Sequence, residues 1–580
     1  MSSLEQTSCI LSLPDTEQIW TKPILTEDTS GTFLPCRFLF LGWDALESFF
    51  EELRKRPVLN ADDCERWLRD LTDLEDQMHL AYQHLHTLQV VHPDEQATAT
   101  FEHNLSNHEI LWETARQALY ERLMEFPWFV GSELGDMRRL RSVIGSRAST
   151  FSWFSYSIEN QIERLEHSLH KLEEELDSQV AALLPEEASD KEYWLLNSQK
   201  RLELQGDLDS VARAMLEAYR ELAQSKGSSD MLECALRAQD SIDYTPDDVI
   251  KVSHRILERF GPLARRCKET RARQAGIERV RPWHDLDGAE IPYLPTLAQS
   301  ATLESTLLEA LSCISPLLQE IFVHNRERFV INPYQSDTKA GGAFIAEYPR
   351  MNKLLLSCDL DGSAGSLTEL FHEVTHLIHG VVANQHQAYY WYRTSPPEIS
   401  EGLAMAVELL ATQAYPLFFK APLVRQARCF VLEEAITSLV EAALNTAYEV
   451  EVHRQPNPSF SQIWIDLSNK ANTGIDWQKL YSQRRLDYLE TLDLIKAPFA
   501  DINYMFGGLI SLQLYADYQR DSTATVHRVL ETMKAGDSLP LPELYAILGV
   551  PFLTNTAAID QLAAEAERLL SSAWKTRRRP

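Results

Sequence analysis

Positive charge is what this 580-residue chain has too little of: 55 lysines and arginines stand against 85 aspartates and glutamates, a formal net charge of −30. A field of that sign repels a phosphate backbone and an anionic bilayer surface, so neither nucleic acid nor membrane is expected as a partner. The one basic run, Lys575 to Arg579, is too short to reverse it and reads as a solvated tail. No apolar stretch reaches the roughly 18 residues needed to span a bilayer. Met1 to Asp15 has no basic start followed by an apolar stretch and a small-residue cleavage site, which makes the cytoplasm the expected location. Cysteine is sparse and scattered (Cys9, Cys36, Cys64, Cys234, Cys267, Cys313, Cys358, Cys429), without CxxC spacing. Reduced buried thiols are expected, with neither a disulfide framework nor a cysteine metal cluster.

What is present is the composition of an ordinary globular protein, 44% hydrophobic and 24% charged. The length exceeds what one compact core accommodates, so several domains or a multi-lobed helical body are expected. Residues 1–36, punctuated by Pro14, Pro23, Gly31 and Pro35, read as a lead-in. From Trp43 to Leu88 the apolar residues recur at threes and fours, lining one helix face. Between Ser157 and Leu184 the stripe Ile162, Leu165, Leu169, Leu172 and Leu176 predicts an antiparallel helix pair rather than a long coiled coil, because its heptads do not persist. The small polar stretch Ser225 to Asp230 marks a boundary between an N-terminal helical domain, 37–228, and a second domain, 229–580. Phe329 to Ile331 and Leu354 to Leu356 resemble short strands and predict a small sheet ahead of Ser366, after which helical patterns run to the end. The expected class is mainly α with a minor β element.

Phe371-His372-Glu373-Val374-Thr375-His376 contains HExxH. On a helix, the i, i+4 spacing sets two imidazoles on one face about one turn apart, within reach of one metal ion, with Glu373 able to face a metal-bound water. Ser366, followed three residues later by Glu369, predicts a capping box at the start of that helix. A catalytic zinc needs a third protein ligand and an open position for water. The next helical segment, after Pro396-Pro397, offers Glu398, Glu401 and Glu408. Glu401 shares a face with each of the other two, so periodicity alone leaves the choice open. Without a third ligand the same motif is a helix with two partly buried, hydrogen-bonded histidines.

At these residues the sequence resembles the thimet oligopeptidase and oligoendopeptidase F family of zinc peptidases, whose members carry HExGHxxH and then a segment of the form E-x-x-S-x-x-x-E. His372, Glu373, His376 and His379 match the first element, and Glu401 and Glu408 the acids of the second. The resemblance implies that Glu401 is the third ligand and that Glu408 orients a ligating histidine. Lys339-Ala340-Gly341-Gly342-Ala343-Phe344 looks like the family's K-x-x-G-A-[FY] segment, which implies that Gly342, Ala343 and Phe344 border the cleft and pair with an extended peptide by strand addition. His379 is carried over as a further substrate-binding residue. Ala497-Pro498-Phe499 to Tyr504 is similar to the family's P-F-Y-x-x-x-Y region, which implies that Tyr504 polarises the scissile carbonyl. The chain departs from the family at Thr375, where glycine is usual, at Leu403-Ala404, at Ala500 and Asp501, and in having no histidine from Ile495 to Asn503.

The resemblance thus implies a two-lobed helical fold with a deep central channel and a small sheet near the active site, in which 229–580 is the catalytic metallopeptidase domain. One zinc ion, a short unfolded peptide as substrate, and a monomer or small homo-oligomer are expected. Zinc activates water, Glu373 takes its proton and passes it to the leaving amine, and Tyr504 helps hold the oxyanion. Two other readings accompany this one: a pathway-specific peptide-processing or peptide-modifying metalloenzyme, suggested by the altered tyrosine region, and a peptide-binding homologue that does not cut. The aromatic segment between the ligand helices, Gly380 to Pro397, either shapes the cleft or packs on the helical body.

Overall fold

Apolar residues spaced at threes and fours make amphipathic helices, and helices make nearly all of this fold. A computed structural model of the chain describes residues 33–34, 43–91, 96–131, 137–147, 153–183, 188–241, 243–284, 291, 300–334, 343–348, 353–552 and 554–576. The expected mainly α architecture with one small sheet is what it shows. Of the lead-in 1–36, only Phe33 and Leu34 are among the described residues; Gly342, with Lys339 to Gly341, lies outside them.

After a first helix, Trp43–Lys55, come α1 (Ala61–Val91), α2 (Gln96–Met124) and α3 (Arg138–Arg147). Their apolar faces close one core around Trp67, Leu71, Trp112, Phe129 and Leu140. Next, α4 (Trp153–Leu183) and α5 (Asp190–Ser225) form the expected antiparallel pair. The Tyr219 hydroxyl donates to Glu166 (3.3 Å) and the Lys226 ammonium to Glu159 (2.6 Å), so the partner falls along one helix as it rises along the other. Within the stripe, Ile162, Leu169 and Leu176 are buried. A second, larger core runs from Ile158 to Leu570 and takes in helices on both sides of the polar turn after Ser225.

Three strands, β1 (Phe329–Tyr334), β2 (Ala343–Tyr348) and β3 (Lys353–Asp359), make a sheet of order β1-β3-β2, with β1 parallel and β2 antiparallel to the central β3. Alternation along the strands gives each face its own neighbour. Leu354, Leu356 and Cys358 point into the large core, while Leu355, with Val330, Phe344 and Ala346, packs on Leu80 of α1. The sheet is therefore wedged between the N-terminal helices and the rest of the molecule. β2 is an edge strand, so part of its backbone is free of sheet pairing.

Behind the sheet stand the helices that matter for chemistry: α6 (Ala364–His386), α7 (Pro397–Ala411), α8 (Ala421–Arg454) and α9 (Asp501–Tyr518). The capping expectation at Ser366 is corrected here. The helix starts earlier, with Ser363 as N-cap accepting from the Ser366 N–H at 3.1 Å. Glu369 is thereby released from a capping role, and its carboxylate instead accepts from the Ala343 N–H of β2. Asp361 and Gly362, turn formers just upstream, explain the earlier start: the chain leaves β3, turns at Gly362 with φ 95°, and caps at once.

Candidate metal centre and active site

Helix α6 presents its polar residues on one narrow face. Phe371, Val374, Leu377, Ile378 and Val381 are buried in the core, which leaves His372, Glu373 and His376 on the side turned to α7. Thr375, in place of the family's glycine, is buried and donates its hydroxyl to the Phe371 carbonyl (2.8 Å), so it occupies the core without an unpaired polar atom. Helix α7 begins at Pro397, whose missing N–H costs nothing in a first helical turn. Its three acids face three ways. Glu398 is fully buried, at 0% exposure, away from the histidines. Glu401 faces both imidazoles, and Glu408 lies behind the first of them.

The convergence is close. His372 Nε2 and His376 Nε2 are 3.1 Å apart, Glu401 Oε2 is 3.2 Å from His372 Nε2, and Glu401 Oε1 is 3.7 Å from His376 Nε2. Among the described residues, His372, His376 and Glu401 form the one group of three or more such side chains that brings its ligand atoms together in this way. Ligands about 2.0–2.1 Å from a tetrahedral zinc stand about 3.3 Å from one another, and the separations, taken for each ring to the Glu401 oxygen that faces it, bracket that value, so the donor set fits the ion. Each histidine is also held from behind. A carboxylate can only accept, so His372 Nδ1 carries the proton in its 2.6 Å bond to Glu408 Oε1, leaving the Nε2 lone pair aimed forward. Ser400 Oγ stands 3.3 Å from His376 Nδ1 and holds the second ring in place.

Glu373 is half-buried, and burial pushes its carboxyl up to about 7, with Glu401, Glu369 and Glu408 adding to the rise and His372 opposing it. Tyr504 sits near the start of α9, 45% exposed. Burial, then the charges of Glu401, Asp501, Glu373 and Glu408, push its phenol up to about 12, so it keeps its proton and remains a donor beside the same carboxylates. The helices that carry Glu401 and Tyr504 approach closely because glycine lines their crossing: a Cβ on Gly507 would stand 3.0 Å from the Gly402 nitrogen and 3.3 Å from the Glu401 Cβ. His379, expected to bind substrate, is 4% exposed and hydrogen-bonded to Ser395 Oγ (2.9 Å), where it ties α6 to the entry of α7. Phe344 meets the His86 ring of α1, with centroids 5.0 Å apart.

The aromatic segment between the two ligand helices forms a bracket that joins them. Tyr389, Trp391 and Tyr392 are buried in the N-terminal core. Trp391 Nε1 donates to the Tyr120 hydroxyl (3.2 Å), and one Arg393 nitrogen reaches both Asp76 oxygens, at 2.8 and 2.7 Å. Of the two expectations for this segment, packing on the helical body is the one these rings fulfil. Only its aromatic density signalled it, since the partners lie some 300 residues away.

Residues 184–563 match the sequence profile of peptidase family M3. The chain belongs to peptidase family M3. Solved structures agree on the fold. A chain assigned as an oligoendopeptidase F superposes with a TM-score of 0.78 at 16% identity, covering 94% of this chain and 99% of the other. A PZ peptidase A with an inhibitor gives 0.77 at 15% identity, covering 93% and 99%. The oligoendopeptidase F of Enterococcus faecium gives 0.55 at 14% identity, covering 92% and 97%. No curated protein matches the chain. As an M3 family member it is a metallopeptidase acting on peptides, and among its described residues no helix is long and apolar enough to cross a membrane.

Proposed function

We propose that this M3 peptidase is a zinc-dependent oligopeptidase of the gluzincin type that hydrolyses short unfolded peptides, with His372, His376 and Glu401 as ligands and Glu373 as general base. The observation that carries the reading is the convergence of His372 Nε2, His376 Nε2 and the two oxygens of the Glu401 carboxylate, with Glu373 next to the first histidine on the same helix. Bound there, the ion would supply a Lewis acid that polarises a carbonyl and acidifies water.

The chain's own residues do the rest. Glu408 keeps the His372 ring in the tautomer that offers Nε2 forward, and Ser400 steadies the His376 ring through its Nδ1. Glu373 takes the proton of the attacking water and delivers it to the leaving amine, the part of a general base and then a general acid. Tyr504 donates to the carbonyl oxygen as it gains charge. The edge position of β2, whose Ala343 N–H is taken by Glu369, supports strand addition along the rest of that strand as the way an extended peptide is held across the site.

Replacement of Glu373 by glutamine tests the assignment on a quenched nonapeptide, with casein as the protein-sized control. The variant is expected to keep its metal and lose about 10²–10⁴ in turnover, while the parent cuts the nonapeptide and spares casein. Unchanged turnover would remove Glu373 from the mechanism, and equal cleavage of casein would remove the restriction to short peptides.

A further inference from the structure

The turn that launches α9 is strained, and what holds it lies outside the metal centre. Residues 497–500 fold back on themselves, closed by a hydrogen bond from the Ala500 N–H to the Ala497 carbonyl (3.3 Å), with Pro498 second and Phe499 third. Phe499 has φ 65°, a left-handed conformation that this turn position normally gives to glycine. A phenylalanine stays there only if its surroundings over-determine it, and such strain gathers at functional sites.

Three residues on one face of α8, each a turn from the next, supply those surroundings. Asn445 Nδ2 donates to Asp501 Oδ2 at 2.8 Å. Glu449 Oε1 accepts the Phe499 N–H at 2.6 Å. The His453 ring packs on the Phe499 ring, with centroids 5.2 Å apart. Glu449 is the unusual member. It is 2% exposed, its second oxygen has no hydrogen-bond partner, and burial holds its carboxyl well above the usual range. A buried carboxyl with half its bonding capacity unused destabilises a fold, so packing alone does not account for a glutamate at this position.

What the turn controls is the start of a rigid helix, and Tyr504 stands little more than one turn into it. We infer that Glu449 is a positioning residue for Tyr504: by holding the Phe499 backbone in its left-handed turn it fixes the origin of α9, and with it the place of the Tyr504 hydroxyl relative to Glu401 and Glu373. The inference rests on the proposed role of Tyr504 as donor to the carbonyl oxygen.

A double-mutant cycle on the zinc-loaded full-length chain tests it, with Glu449→Ala and Tyr504→Phe scored for kcat, KM, zinc affinity by chelator competition, and Tm. Glu449→Ala is expected to lower kcat about tenfold or more, since a displacement approaching 1 Å can remove about 10² in rate, with KM and zinc affinity little changed. In the Tyr504→Phe background the same change is expected to do nothing further to kcat. Glu449→Gln, which keeps an acceptor for the Phe499 N–H, is expected to restore most of the rate. Losses that multiply, or a glutamine variant as damaged as the alanine one, overturn the positioning role and leave that of Tyr504 standing. A Tyr504→Phe enzyme of unchanged kcat overturns both. Should Glu449→Ala not fold, Asn445→Ala loosens the same turn from its other end and enters the same cycle.

Discussion

Adding a single methyl group at Gly402 should push apart the two helices that carry Glu401 and Tyr504. A Cβ there would lie 2.9 Å from both Cβ and Cγ2 of Ile510 and 3.0 Å from its Cδ1. Carbon atoms in contact prefer about 3.5–4.0 Å, so α7 and α9 must separate by roughly 0.5–1 Å. Ile510 is fully buried and β-branched, and it has no free rotamer into which to retreat. Overpacking of this order destabilises by about 1–3 kcal/mol. Because the crossing lies beside Glu401, the larger effect should be on rate: kcat reduced by about 10–100-fold, the range set by a displacement of up to 1 Å. Steady-state kinetics on a quenched peptide, with Tm measured in parallel, would read both effects. Ile510→Ala removes two of the three obstructing atoms, so the double variant should recover part of the loss. A Gly402→Ala enzyme with unaltered Tm and kcat would show that the glycine crossing does not set the distance between ligand and tyrosine.

Two further outcomes follow from groups around the centre. Glu408→Ala should weaken zinc binding about 10–100-fold, because it removes the partner that fixes the His372 tautomer; Glu408→Gln, which still accepts, should lose less, and chelator competition would show whether the order holds. Glu398, fully buried, is raised from the ordinary 4.5 to about 7, mainly by burial and then by Asp243, with Arg139 and Tyr244 opposing the rise. A carboxyl whose folded pKa is raised lends its full stability below about 4.5 and loses it as pH climbs through about 7. Glu398→Gln does not titrate, so its stability advantage over the parent should grow from pH 5 to pH 8 towards roughly 3 kcal/mol, at about 1.4 kcal/mol for each pKa unit. Parallel melting curves for the two proteins across that range would refute the buried-carboxyl account.

The two ligand helices are legible in the sequence because their signals are local. HExxH and the apolar residues around it declare one helix with a polar face, and Pro396-Pro397 declares the start of the next. Which acid on that second helix faces the histidines is not legible from periodicity, since Glu398, Glu401 and Glu408 share overlapping faces; only the way α7 packs on α6 separates them. The capping serine lies three residues from its expected place because Ser363 and Ser366 are chemically alike and the turn at Gly362 decides between them. Least legible are the contacts between distant segments: Arg393 with Asp76, Trp391 with Tyr120, and Phe499 with Glu449 pair residues whose neighbourhood exists only after folding.

The aromatic bracket between α6 and α7 bears on how this protein can be cut. Residues 184–563 match the family, and a truncation would naturally begin there, but the walls around Tyr389, Trp391 and Tyr392 are built from α1, α2 and α3 and from Phe129, all upstream of residue 184. A chain trimmed to the matched stretch would hold three bare rings to water on the tether between its metal-binding helices, a sticky patch at the point where rigidity is needed most. The smallest portion able to work as an enzyme is therefore longer than the portion that proclaims its ancestry.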